Sequence, residues 1–232
     1  MRVFRDRHEA GRELAEKLVP YAHRPETVIL ALPRGGVPVA AEVARKLGAP
    51  LDVFVVRKLG VPGYEELAMG AIASGGIRVL NQDVVRSLRI PEDVIDAVAS
   101  RELEELTRRE RLYRNGRPST EIRDRTVILV DDGLATGATM QAAVQSVRQQ
   151  HPARVVVAVP TAARQTCERL RGEADELVCA MVPEPFRTVG ASYEDFTQTT
   201  DAEVRELLAH PVQPGELEHP ANRPLMLTLC EP

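Results

Sequence analysis

The sequence predicts an α/β fold around a parallel sheet with helices on both faces. Three observations point there. Short runs rich in β-branched residues read as buried strands, stretches of helical periodicity separate them, and small-residue turns follow the strand ends. Residues 5–19 open as an amphipathic helix, with Ala10, Leu14, Ala15 and Leu18 on one stripe. Thr27 to Leu32 is a strand ending in Pro33-Arg34-Gly35-Gly36, and Val37 to Leu47 continue as a helix. Leu51 to Val56 is a second strand with Arg57-Lys58 at its end, which makes a strand–helix–strand unit.

In the middle of the chain, Met69–Ala73 and Ile77–Leu80 flank Ser74-Gly75-Gly76 as a hairpin. Residues 92–115 form a charged helix whose Glu102, Glu105, Arg108, Arg109 and Arg111 read as a solvated face with i,i+4 pairing. The alternation then resumes. Thr126–Val130, Arg154–Val159 and Glu176–Met181 are strands; Thr139–Gln150 and Ala162–Arg171 are helices. Residues 183–200 are irregular, and Asp201 is placed to cap a last helix reaching about Ala209. Residues 1–210 thus read as one domain, followed by an extended tail over 211–232 with four prolines beyond Pro211.

Composition removes several function classes. The 232 residues carry 44% apolar residues, enough to form a core, and a net charge of −4, which offers no basic excess for a nucleic acid. Trp is absent and aromatics are 3%, which disfavours a base-stacking surface. No apolar run approaches a membrane span, and the charged start MRVFRDRHEAGREL lacks an export signal. Cys167, Cys179 and Cys230 form no CxxC pair and read as reduced thiols of a cytoplasmic protein. The five histidines stand at no zinc-binding spacing.

The chemistry concentrates in residues 127–139, Val-Ile-Leu-Val-Asp-Asp-Gly-Leu-Ala-Thr-Gly-Ala-Thr. An apolar strand runs into two acids and then a loop of small residues that opens a helix. Glycines let backbone N–H groups approach an anion closely, and the helix N-terminus adds orphan donors and a positive dipole end. Thr136 and Thr139 add hydroxyl donors. Such a loop suits a phosphate monoester. Asp131 and Asp132 would repel a bare anion, so the ligand must also bring hydroxyls or Mg²⁺. No Lys follows the loop, which sets it apart from a Walker loop.

This segment resembles the donor-binding motif of the type I phosphoribosyltransferases. The resemblance covers roughly residues 5–205 and implies that family's core, with a long flexible-loop and helical insertion over about 59–118 and a small hood over about 183–200. It implies that Asp131 and Asp132 bind the ribose hydroxyls of phosphoribosyl pyrophosphate. Gly133, Leu134, Ala135, Thr136, Gly137, Ala138 and Thr139 would hold its 5′-phosphate. Leu32-Pro33-Arg34-Gly35-Gly36 matches the pyrophosphate-binding loop, in which Arg34, Gly35 and Gly36 contact the diphosphate. Arg57 and Lys58 stand where the family begins its mobile catalytic loop, at a strand end away from the 127–139 loop. Val56-Arg57-Lys58-Leu59-Gly60-Val61-Pro62-Gly63, with Glu66-Leu67-Ala68-Met69-Gly70-Ala71-Ile72, resembles bacterial proteins known only as predicted members.

In the hood, Pro183-Glu184-Pro185-Phe186 with Val189-Gly190 resembles the purine-salvage members. Phe186 is there either a stacking platform for the acceptor or a packing residue. Glu194 or Asp195 falls near a family acid that helps to hold Mg²⁺, with the spacing off by about a residue. The implied activity is transfer of a phosphoribosyl group to a small-molecule acceptor with release of pyrophosphate, Mg²⁺ being the cofactor. Arg57, Lys58, Asp131 and Asp132 would be its catalytic residues. A regulator that binds the donor without turning it over is the alternative. The sequence leaves open the acceptor and whether the chain pairs as a homodimer.

Overall fold

The computed structural model describes residues 2–209; the expected extended segment from Pro211 lies outside the described residues. The chain opens with helix α1 (Arg7–Lys17), then strand β1 (Thr27–Ala31), helix α2 (Gly36–Leu47) and strand β2 (Leu51–Val53). After a long excursion come β6 (Thr126–Val130), α5 (Ala138–Arg148), β7 (Arg154–Thr161), α6 (Arg164–Leu170) and β8 (Glu176–Met181). These five strands form one parallel sheet in the order β2-β1-β6-β7-β8.

Both faces of the sheet are covered, as its continuous apolar strands require. Ile29, Ala31, Ile128, Val130 and Val156 pack with α1 and α2, while Val28, Leu30, Val127, Leu129 and Val155 pack with α5 and α6. The chain winds outward from β1 to β2 and later returns to pair β6 with the other edge of β1. The order therefore reverses between β1 and β6, and the crevice beyond their carboxyl ends is where open α/β sheets bind ligands. The two candidate loops are the ones that leave these strands.

The excursion carries the expected hairpin and long helix, but it begins differently. Residues 51–56 are not one strand. β2 ends at Val53, and Val56–Val61 begins β3 of a separate antiparallel sheet with β4 (Tyr64–Ala73) and β5 (Ile77–Leu80). Ser74 makes the hand-over: its hydroxyl accepts from the Val55 amide at 2.9 Å and its amide donates to the Val55 carbonyl at 2.9 Å. The apolar run hides the break because both sheets favour β-branched residues. Arg57 and Lys58 consequently lie inside a strand and project to opposite faces. The hairpin over 69–80 is present, extended back to Tyr64.

Helix α3 (Gln82–Ser87), capped by the Asn81 side chain, was not anticipated. Helix α4 (Glu92–Arg114) was, but its charges are not all solvated. Arg114 is buried, with Nε 2.9 Å from Asp52 Oδ1 and Nη2 donating to the Val53 carbonyl at 2.9 Å. Those bonds tie the end of α4 to the edge strand. The i,i+4 pairs Glu105–Arg109 and Glu110–Arg114 each close at 2.8 Å.

Helix α7 (Asp201–Ala209) is capped by Thr200 rather than Asp201. Thr200 Oγ1 accepts from the Glu203 amide at 3.1 Å, while Glu203 Oε2 accepts from the Thr200 amide at 3.4 Å. This is the reciprocal box that Thr-x-x-Glu encodes. No helix among the described residues is long and apolar enough to cross a membrane.

Candidate active site

The two crevice loops interlock, and glycines permit it. A Cβ on Gly36 would come within 2.7 Å of the Val130 carbonyl oxygen and 2.9 Å of Asp131 Cα. One on Gly35 would overlap the Asp132 carboxylate, approaching its Cγ to 2.6 Å. The Leu32 amide donates to the Val130 carbonyl at 2.9 Å, which fixes the loops together. Arg34 is half-buried, with Nη1 3.9 Å from Asp201 Oδ1 at the start of α7.

Asp131 and Asp132 sit side by side where β6 ends, and both are half-buried. Asp131 Oδ1 accepts from the Asp132 amide at 2.8 Å. Asp132 Oδ2 accepts from Arg7 Nε at 2.9 Å, and the Asp132 carbonyl accepts from the Tyr193 hydroxyl at 2.6 Å. Burial, with the neighbouring carboxylate adding to it, raises the Asp131 pKa well above the carboxylate range. Burial also raises that of Asp132, and Arg7 opposes it.

From Gly133 onward the protein holds the loop by its carbonyls. Leu134 donates to the Thr161 carbonyl at 2.9 Å, and its own carbonyl accepts from the Ala163 amide at 3.0 Å. The Thr166 hydroxyl donates to the Ala135 carbonyl, and Arg169 to that of Thr136. Gly137, at φ 69°, makes the left-handed turn into α5, and a Cβ there would lie 2.6 Å from the Thr166 methyl. Among the described residues, the amides of Ala135, Thr136, Gly137, Ala138 and Thr139 donate to no protein group, and neither do the Thr136 and Thr139 hydroxyls. Carbonyls turned inward and amides left over at a helix N-terminus make an anion nest.

The other expected residues are distributed differently. Arg57 gives Nε and Nη2 to Glu102 Oε2 of α4, at 3.0 and 2.7 Å. Lys58 projects to the opposite face, 3.2 Å from Glu66 Oε2. There it lines a cleft of about 490 Å³ together with Asn81, Ala138, Thr139 and Gln141. Lys58 is therefore beside the start of α5 rather than away from the 127–139 loop, because β3 folds back across that helix.

Phe186 is half-buried and takes part in none of the ring contacts seen among the described residues. Asp195 turns its carboxylate to its own loop, accepting from the Thr197 amide at 2.8 Å and hydroxyl at 2.6 Å, which lowers its pKa. Glu194 is exposed, and its amide donates to the Phe4 carbonyl at 2.8 Å. The described residues bring no three His, Cys, Asp or Glu side chains together as a metal cage.

The sequence reading missed the N-terminal contribution. Phe4 pairs with Tyr193 as an isolated bridge, so residues 4–7 and 192–197 lie together beside the acid pair. Arg7 reaches from there to Asp132. The signal was available: Arg7 lies three residues before Ala10 and seven before Leu14, on the apolar stripe of α1, where a charge needs a buried partner.

Comparison with known proteins agrees with this architecture. A family model described as a phosphoribosyl transferase domain matches residues 5–194. Two Mycobacterium tuberculosis proteins, each carrying the name "Putative phosphoribosyl transferase", are 48% identical over 229 residues, which is 97% of this chain and 52% of theirs. The chain thus spans about half the length of the curated relatives it matches. The crystal structure of TT1426 from Thermus thermophilus is 48% identical, with a TM-score of 0.80 over 90% of this chain and 98% of that one. By sequence and by fold, the chain belongs to the phosphoribosyl transferase domain family.

Proposed function

We propose that this protein binds phosphoribosyl pyrophosphate with Mg²⁺ and transfers the phosphoribosyl group to a small-molecule acceptor, releasing pyrophosphate. The observation that carries this proposal is the run of amides from Ala135 to Thr139, without a partner among the described residues, that follows two carboxylates across Gly133-Leu134. The nest takes the 5′-phosphate, and Asp131 and Asp132 accept hydrogen bonds from ribose hydroxyls. The diphosphate lies at the Arg34-Gly35-Gly36 turn, where α2 begins. Mg²⁺ fits this donor set as a substrate-borne ion: it retains waters and binds through one or two carboxylates plus phosphate oxygens, so a protein cage is not needed. When bound, it supplies charge neutralisation on the diphosphate.

In the reaction, the bond from the anomeric carbon to pyrophosphate breaks and its electron pair leaves with the diphosphate. The acceptor's lone pair then forms the new bond. Arg34 offsets the charge gathering on the leaving group, Lys58 stands beside the nest that takes the 5′-phosphate, and the two carboxylates ease the positive charge on the ribose ring. Arg34→Ala should therefore weaken pyrophosphate binding far more than ribose 5-phosphate binding; equal losses in calorimetric titrations would count against its placement.

Ala135 bears on the acceptor. Family members that salvage 6-oxopurines carry an Asp at this loop position to exchange a proton with the base, help worth about 10²–10⁴-fold. A methyl group cannot do this, and the adjacent carbonyl is already engaged by Thr166. Asp195 is committed to Thr197. Hypoxanthine and guanine should be negligible acceptors, and brisk steady-state turnover of either refutes this. An already nucleophilic amine, an anionic base or water suits the loop better.

A non-catalytic sensor of the same ligand is supported by one observation, the pairing of Arg57 with Glu102 across two hydrogen bonds. Pyrophosphate release across a panel of bases and small amines separates the two. Release above the no-enzyme rate means catalysis, and tight donor binding without release means a sensor.

A further inference from the structure

We propose that Arg7 is a positioning residue for the ribose half of the site, fixing the Asp132 carboxylate and tying it to the loop over 193–197. This rests on the proposal that Asp131 and Asp132 bind ribose hydroxyls.

Three segments far apart in sequence meet at one guanidinium. Arg7 Nε donates to Asp132 Oδ2 at 2.9 Å, Nη1 donates to the Thr197 carbonyl at 2.8 Å, and the Phe196 ring centroid lies 3.9 Å from Cζ. The Arg7 side chain is only 10% exposed, so its charge has lost most of its water and depends on these partners. A planar fork serves two acceptors in different directions, which a single ammonium does less well.

Asp132 is held at both ends from the same side. Tyr193, stacked on Phe196 at 5.1 Å, takes its carbonyl, while Arg7 takes one carboxylate oxygen. A carboxylate offers about four lone-pair sites, so Arg7 leaves acceptor capacity for a ligand. Gly35 backs against the same carboxylate oxygen that Arg7 holds, since a Cβ there would overlap Asp132 Oδ2. Arg7 also opposes the repulsion between the two adjacent acids, and its charge acts on Asp131 and Asp195 as well.

The test is calorimetric titration of wild type, Arg7→Met, Arg7→Lys, Asp132→Asn and the Arg7→Met/Asp132→Asn double variant. The ligands are ribose 5-phosphate, inorganic pyrophosphate, and phosphoribosyl pyrophosphate with Mg²⁺. Arg7→Met should lose about 10- to 100-fold in affinity for the two ribose-bearing ligands, the worth of a charge-assisted bond, with pyrophosphate little changed. Asp132→Asn should add little in the Arg7→Met background, because the pair acts as a unit.

A purely structural Arg7 would lower the melting temperature and leave affinities unaltered. That result, equal losses for ribose 5-phosphate and pyrophosphate, or additive effects of the two substitutions would each overturn the proposal. If Arg7→Met does not fold, Arg7→Lys decides: a partial loss confined to ribose-bearing ligands supports the proposal, and unaltered affinity overturns it. Wild type that binds neither ribose-bearing ligand refutes the donor-binding proposal itself. Tight wild-type binding with a silent Arg7→Met refutes only the role of Arg7.

Discussion

Replacing Asp131 and Asp132 together by Asn is expected to reduce phosphoribosyl pyrophosphate affinity by about 10²–10⁴-fold, two charge-assisted bonds at about 1.5–3 kcal/mol each. Asn still offers one carbonyl acceptor, so geometry is largely kept while the charge is lost. The loss should appear equally with ribose 5-phosphate and hardly at all with pyrophosphate. A calorimetric titration with affinity unchanged for all three ligands removes the ribose role from these residues.

Asp131→Asn alone should stabilise the protein without ligand. Its carboxyl holds its proton more tightly in the folded than in the unfolded chain, because burial and the Asp132 charge disfavour ionisation. Folded protein thus binds more protons between the ordinary carboxylate pKa and the raised one, and stability falls as pH rises through that window. Above the raised pKa the whole cost is present. The gain from Asn should be small under acidic conditions and largest above the folded pKa, with each 1 kcal/mol recovered raising the melting temperature by about 2–4 °C. Thermal melts of both proteins across pH measure this. A variant less stable than wild type at the high end would show that Asp131 contributes more through the Asp132 amide than burial costs. A stabilised but ligand-blind variant would mark a site kept at the expense of stability.

The parts of the fold visible in the sequence are those written in contiguous residues. The strand at 126–130, the glycine at Gly137 and the helix after it each carry local backbone chemistry, so the nest was readable from one short segment. Gly35 and Gly36 were readable as a turn, but that they make room for Asp132 and Val130 belongs to tertiary structure. The break at Phe54-Val55 was hidden because strand propensity does not say which sheet a strand joins. That error displaced Lys58, which proved to share a cleft with Thr139.

Arg7 meets Asp132 across 125 positions, and no local pattern names that partner. Only its place on the apolar stripe of α1 hinted that one existed. Glu102 is a case of the same kind: it reads as part of a solvated face, yet packing sets it against Arg57. Thr200-x-x-Glu203 is the opposite case, a complete local signature passed over in favour of the adjacent Asp201.

The most direct test is calorimetry and thermal melting of the unaltered protein with phosphoribosyl pyrophosphate and Mg²⁺. Saturable one-site binding is expected. At ligand near 100 times its Kd, linkage adds about 2.7 kcal/mol, a rise in melting temperature of roughly 5–10 °C. A protein that melts cooperatively, yet shows neither binding heat nor a shift with this ligand, would contradict the assignment of residues 131–139 as its donor site.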